Sequence, residues 1–144
     1  MSTMEEENYS INLPGEWEKI SGPDPYVYFN KNDKEALTVT FFTRSSDVSN
    51  NDRLEEFQRL VEARQQAEVE TSDTTITLSD VSFAEQGTTY VATYTGTNNE
   101  DFLSATMLIG FEEFIAVFFY EGYGVDEVSF GMNTRLIMNS ISFY

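Results

Sequence analysis

The 144-residue chain contains no cysteine and no histidine. The first absence excludes disulfides, thiolate nucleophiles, thiolate metal sites and lipid attachment through sulfur within this sequence. The second removes the side chain that most often serves as a general base near neutral pH and as a metal ligand. Cations are scarce too: eight Lys and Arg face 25 Asp and Glu, a net charge of −17. Residues 65–144 hold one cation, Arg135, against 12 carboxylates. Such a field repels nucleic acid and anionic lipid and speeds encounter with a basic partner. The same charge keeps a small protein soluble, and adaptation to high salt is a weaker reading, given 17 Glu against 8 Asp and 12 Phe. No apolar run approaches the roughly 20 residues of a membrane-crossing helix. Met1–Asn8 is acidic and lacks the apolar core of a signal peptide. These features predict a cytoplasmic protein with a flexible acidic tail over residues 1–8 and a single domain over 9–144.

What the chain does have is Phe114–Tyr120, seven consecutive apolar or aromatic residues between turn signals. Its length and its β-branched and aromatic content read as a strand. Alternation sends Phe114, Ala116, Phe118 and Tyr120 to one face and Ile115, Val117 and Phe119 to the other. Both faces are apolar, so both need a cover.

Around it the periodicity predicts strands at Tyr9–Leu13, Tyr26–Phe29 and Ala36–Arg44, followed by a polar, turn-forming stretch at 45–51. Asp52-Arg-Leu-Glu55 has the form of a capping box, opening a helix over 52–69 with Leu54, Phe57, Leu60, Val61, Arg64 and Ala67 on one stripe. Strands then follow at 76–84 (kinked near Ser79-Asp80), 88–97 and 102–109, and Phe114–Tyr120 closes an antiparallel meander. A second helix begins near Val125, with Asp126 and Glu127 in its first turn. Val125, Val128, Met132 and Leu136 form its apolar steps, and Gly131 within it suggests a close crossing. Ile141–Phe143 ends the chain extended. The prediction is α+β, in the order β-β-β-α-β-β-β-β-α.

Three local features carry a resemblance: Tyr9-Ser-Ile-Asn-Leu-Pro-Gly-Glu-Trp17, Ala36-Leu-Thr-Val39, and Ile137-Met-Asn-Ser-Ile-Ser-Phe143. With the element order, they make the chain similar to the PsbP/DcrB/Mog superfamily over nearly its whole length. The resemblance implies a three-layer α/β/α sandwich, an antiparallel sheet of six to seven strands with helices on both faces. It also implies a mostly non-enzymatic way of working, by binding other proteins. The DcrB-like bacterial branch, the chaperones of type VI secretion effectors and the GTPase-binding Mog protein are its concrete forms.

Candidates for chemistry are few. Glu100-Asp101, Glu112-Glu113 and Asp126-Glu127 are adjacent pairs at turns or a helix start, where both carboxyls are solvated and equivalent, unlike an acid–base pair. Asn98–Asp101 lacks the loop spacing of a calcium site, and Gly122-Tyr-Gly124 lacks the Lys and glycine spacing of a phosphate loop. The sequence predicts no enzyme, no cofactor and no metal. For binding, Trp17, Tyr26, Tyr28, Tyr120 and Tyr123 sit at strand ends or turns, where amphipathic rings serve as anchors. Glu112, Glu113, Glu121 and Asp126 supply charge beside them. The expected function is a protein-binding module, monomeric or homodimeric, with a basic or amphipathic partner. An immunity protein facing a toxin or a chaperone holding a secreted effector would fit, the alternatives being a GTPase-binding regulator and a small-ligand or lipid carrier with a pocket between sheet and helix.

Overall fold

The computed structural model describes residues 1–44, 50–71 and 73–144, so most of the turn expected at 45–51 lies outside the described residues. In chain order the elements are β1 (Ser2–Glu5), β2 (Tyr9–Leu13), β3 (Trp17–Ser21), β4 (Tyr26–Asn30), β5 (Glu35–Thr43), α1 (Asn50–Glu70), β6 (Thr77–Leu78), β7 (Ser82–Gln86), β8 (Thr89–Thr97), β9 (Phe102–Gly110), β10 (Phe114–Tyr123), α2 (Glu127–Asn139) and β11 (Ser142–Phe143). The class is α+β. An eight-stranded antiparallel sheet runs β3-β4-β5-β10-β9-β8-β6, with β7 also paired to β8. A separate three-stranded sheet runs β1-β2-β11.

The long apolar run lies in β10, bonded to β5 on one side and β9 on the other. Its even-numbered residues Ala116, Phe118 and Tyr120 join a core with Tyr9, Ile11, Tyr26, Phe130 and Ile137. Ile115 and Val117 join a second core with Phe57 and Val61 of α1 and with Tyr90, Tyr94 and Leu108. One cover is therefore α1, and the other is α2 together with the small sheet. The main sheet has eight strands rather than six or seven, although β2 leaves it for the small sheet. One added strand is β3, which beyond the buried Trp17 is exposed on an edge, with Ile20 the one apolar residue among Glu18, Lys19 and Ser21, and so carries no hydrophobic alternation. The segment expected as one kinked strand is two, β6 and β7, separated at Ser79–Val81.

Four further expectations are corrected. The tail expected to be flexible forms β1 over Ser2–Glu5, in antiparallel register with β2 from Ser2↔Leu13 to Glu5↔Ser10. Backbone hydrogen bonds to a neighbouring strand, plus Met4 packed on the core, order it without any apolar run. Helix α1 begins at Asn50, which places Asp52 in its first turn rather than at its cap.

Of the apolar steps expected to bury α2, Val125 packs against the core, but Val128, Met132 and Leu136 face solvent, at 70%, 59% and 51% exposure. Phe130 and Ile137 are the buried pair. Phe130 stacks flat on Tyr120, centroids 4.4 Å apart and planes 1° from parallel, and this contact sets the helix rotation. Gly131 has open space where a Cβ would stand, so it marks no crossing.

Candidate functional site

At its C-terminal end β10 leaves the shelter of α1. The odd-numbered side chains Phe119, Glu121 and Tyr123 emerge there on the α1 side of the sheet, beside Phe102 and Ser104 of β9, which are their register partners or neighbours. The last turns of α1, the β8–β9 turn and this strand end enclose a cleft of about 610 Å³. A second, smaller cleft of about 310 Å³ lies toward the β4–β5 turn, lined by Phe29, Asp33, Lys34 and Glu35, and Glu121 and Tyr123 line both.

The larger cleft has a fixed wall and an open wall. On the fixed wall the Arg64 guanidinium lies 5.0 Å from the centre of the Phe119 ring, a cation–π contact. Its Nε donates to Glu68 Oε2 at 3.0 Å. The same carboxylate accepts from the Tyr94 hydroxyl and, at 3.0 Å, from Thr106 Oγ1. Burial and this carboxylate push the Tyr94 phenol well above its ordinary range.

On the open wall Tyr123 is 51% exposed, and its ring meets Phe102 at 5.1 Å between centroids, tilted by 54°. Its hydroxyl donates to Glu121 Oε1 at 3.2 Å. Burial raises the Glu121 carboxyl above its usual range, against the lowering effects of the Tyr123 hydrogen bond and of Arg64, while Glu68 adds to the rise. Asp101 completes the wall, its Oδ1 accepting from Asn98 Nδ2 at 3.0 Å. Its carbonyl accepts from the Gly124 N–H at 2.7 Å, which ties the β8–β9 turn to the end of β10.

The residues predicted as contacts divide into three groups. Glu121 and Tyr123 meet in the clefts, with Asp126 three residues on. Asp126 is occupied as the N-cap of α2, accepting from the Ser129 N–H at 2.9 Å and from its hydroxyl at 3.0 Å, and these bonds hold its carboxyl below the usual range. Glu112 and Glu113 are exposed in the turn at the other end of β10, where Glu112 lies 3.5 Å from Arg53.

Trp17, Tyr26 and Tyr28 are corrected: all three are core residues. Trp17 donates its indole N–H to the Pro14 carbonyl at 2.9 Å. Tyr26 packs edge-on against Tyr9. The Tyr28 hydroxyl is buried against Tyr9 at 2.6 Å and Glu6 at 2.7 Å. A ring with a polar tip at a strand end satisfies that tip inside a core as readily as at a surface, and the small sheet that buries these three was not foreseen.

Sequence reasoning missed Arg64, Glu68 and Phe119 as the fixed wall and Phe102 as part of the open one. Arg64 and Glu68 stand at i, i+4 on α1, a legible pair. Their meeting with Phe119 depends on where α1 crosses the sheet.

No family model and no curated protein matches the sequence. Among solved structures the chain is similar to the solution structure of cyanobacterial PsbP (CyanoP) from Synechocystis sp. PCC 6803, with a TM-score of 0.64 and 15% identity over 94% of this chain and 86% of that one. The likeness is one of fold.

Proposed function

We propose that the protein is a non-catalytic, cytoplasmic protein-binding module that holds a basic or amphipathic segment of a partner at the C-terminal end of β10. The carrying observation is that two clefts meet at Glu121 and Tyr123, with an aromatic residue at the surface between carboxylates. Beside them α1 covers β8, β9 and β10 but not the same face of β3, β4 and β5. There Phe29, whose partner Ala36 pairs in turn with Glu121, stays exposed next to the acidic rim. An amphipathic segment with cations on one side satisfies both at once. An immunity protein, an effector chaperone and a GTPase-binding regulator would each use such a surface, and the identity of the captured partner separates them. A lipid or apolar-ligand carrier is less well supported, because the helix–sheet cleft is walled by Glu68, Asp73, Asp101 and Glu121.

The test compares wild type with the double variant Glu121→Gln/Tyr123→Ala as baits at low and high salt. A partner retained by the wild type at low salt, released as salt rises and missed by the variant is the expected result. Equal retention by both baits would sink the assignment of this surface.

A further inference from the structure

We infer that the open wall of the larger cleft is a subsite for an organic cation on an apolar stem, a guanidinium or primary ammonium, taken between the carboxylates of Glu121 and Asp101 and the rings of Phe102 and Tyr123. This deepens the binding reading above and rests on it for the origin of the cation.

Charge and its neutralisation come first. Four carboxylates and one guanidinium line the cleft. The guanidinium of Arg64 is already engaged by Glu68 and Phe119 on the fixed wall. The donors to the other two named carboxylates are neutral: a phenol for Glu121 and a side-chain amide for Asp101. The open wall therefore keeps negative charge that a cation would match, and it disfavours phosphate or a lipid headgroup anion.

Shape and chemistry come second. A volume of about 610 Å³ falls within the range of small-ligand sites, about 300–1,000 Å³. The tilted Phe102 and Tyr123 rings form a corner that offers a π face to a cation and an apolar surface to its stem. Among the described residues no three carboxylates gather closely enough to hold a metal ion, which favours an organic cation over a divalent metal.

Carboxylate, guanidinium and ring are already assembled once in this cleft, as Glu68, Arg64 and Phe119. Across the same space stand two carboxylates, Glu121 and Asp101, and two rings, Phe102 and Tyr123.

The full-length, ¹⁵N-labelled protein would be titrated at low salt with N-acetyl-arginine amide, spermidine and the uncharged N-acetyl-norleucine amide. Amide shifts centred on Phe102, Phe119, Glu121 and Tyr123 with either cation, and affinity at least about tenfold weaker for norleucine amide, are expected. Glu121→Gln and Phe102→Leu should each weaken the cation about tenfold, while Glu85→Gln, on exposed β7, leaves it unchanged. Binding of the arginine amide supports a partner's side chain as the source. Binding of spermidine alone supports the subsite with a free amine as its ligand. Shifts scattered over the acidic surface, or equal loss in Glu85→Gln, would overturn the subsite. Small cations binding while no protein partner is captured would sink the module reading and leave the subsite standing. A partner captured by the wild type and missed by Glu121→Gln/Tyr123→Ala, with no localised shifts on addition of either cation, would do the reverse.

Discussion

The Arg64 guanidinium lies 5.0 Å over the Phe119 ring, and through Glu68 it fastens the C-terminal half of α1 to the sheet. Glu68 is the more deeply placed partner, with a side chain only 8% exposed and hydroxyl donors from Tyr94 and Thr106. Replacing Arg64 with Met keeps the stem on Phe119 but strips the buried carboxylate of its cation. A loss of about 1–3 kcal/mol is expected in denaturant unfolding. The double variant Arg64→Met/Glu68→Gln should lose less than the two single losses summed, since the neutral amide no longer needs the cation. Strict additivity would show that the pair is not coupled.

Glu121 is a carboxylate whose burial opposes its charge. Its folded pKa is raised, so between the ordinary carboxylate range and that raised value the native state holds a proton that the unfolded state has released. Stability therefore falls as pH rises through this window and stays lower above it, with Arg64 and Glu68 acting on the group in opposite senses. Glu121→Gln should accordingly raise Tm at pH 7 and leave it nearly unchanged at pH 3. A variant less stable than wild type at pH 7 would contradict the sign.

The contrast between β10 and α2 shows which parts were legible in the sequence. Phe114–Tyr120 carries its own answer, because strand alternation with both faces apolar demands two covers whatever supplies them. Helix α2 carries two apolar stripes, Phe130 with Ile137 and Val128 with Met132 and Leu136, and periodicity cannot choose between them. The choice is made by the Tyr120–Phe130 stack, a contact between elements. The same division holds at the site. Tyr123 and Glu121 stood out locally, between glycines and beside acids. Arg64 and Phe102 came to them only through the helix crossing and the β9–β10 register. Trp17, Tyr26 and Tyr28 were misplaced because the small sheet that buries them joins residues 2–5, 9–13 and 142–143, and the alternation that marks Tyr9–Leu13 as a strand does not say which strands it pairs with.

Phe118 lies at the centre of one core, fully buried, with edge-on contacts to Tyr9 and Phe143. Phe118→Ala should cost about 3–5 kcal/mol through lost burial and the cavity left behind. Phe118→Asp adds an unpaired carboxylate to that cavity and should leave the chain unfolded at 25 °C, with near-UV circular dichroism lost. A folded Phe118→Asp protein that merely binds poorly would mean that this face of β10 is not interior.

Two glycines flank Tyr123, and they should fail for different reasons. At Gly122 a Cβ would stand 2.7 Å from Val125 Cγ2 and 3.0 Å from the Phe130 ring, where α2 closes on the strand. Gly122→Ala should therefore cost about 1–3 kcal/mol by overpacking. Trimming the obstacle in Gly122→Ala/Val125→Ala should recover part of it, since the tightest clash is with a side chain. Gly124 has no atom within 4 Å of its would-be Cβ, but its φ is +64°. The strain there lies in the backbone alone, about 1–2 kcal/mol for an ordinary L-residue. Gly124→Asn should be milder than Gly124→Val, because Asn tolerates the left-handed region and a β-branched residue does not. No trimming of a neighbour should rescue Gly124→Val. Thermal unfolding of these four variants reads the pattern directly. Rescue at Gly124 or none at Gly122 would reverse the assignment of space to one and conformation to the other. Because both glycines set how Tyr123 is presented, the variants that fold should also bind N-acetyl-arginine amide more weakly than wild type.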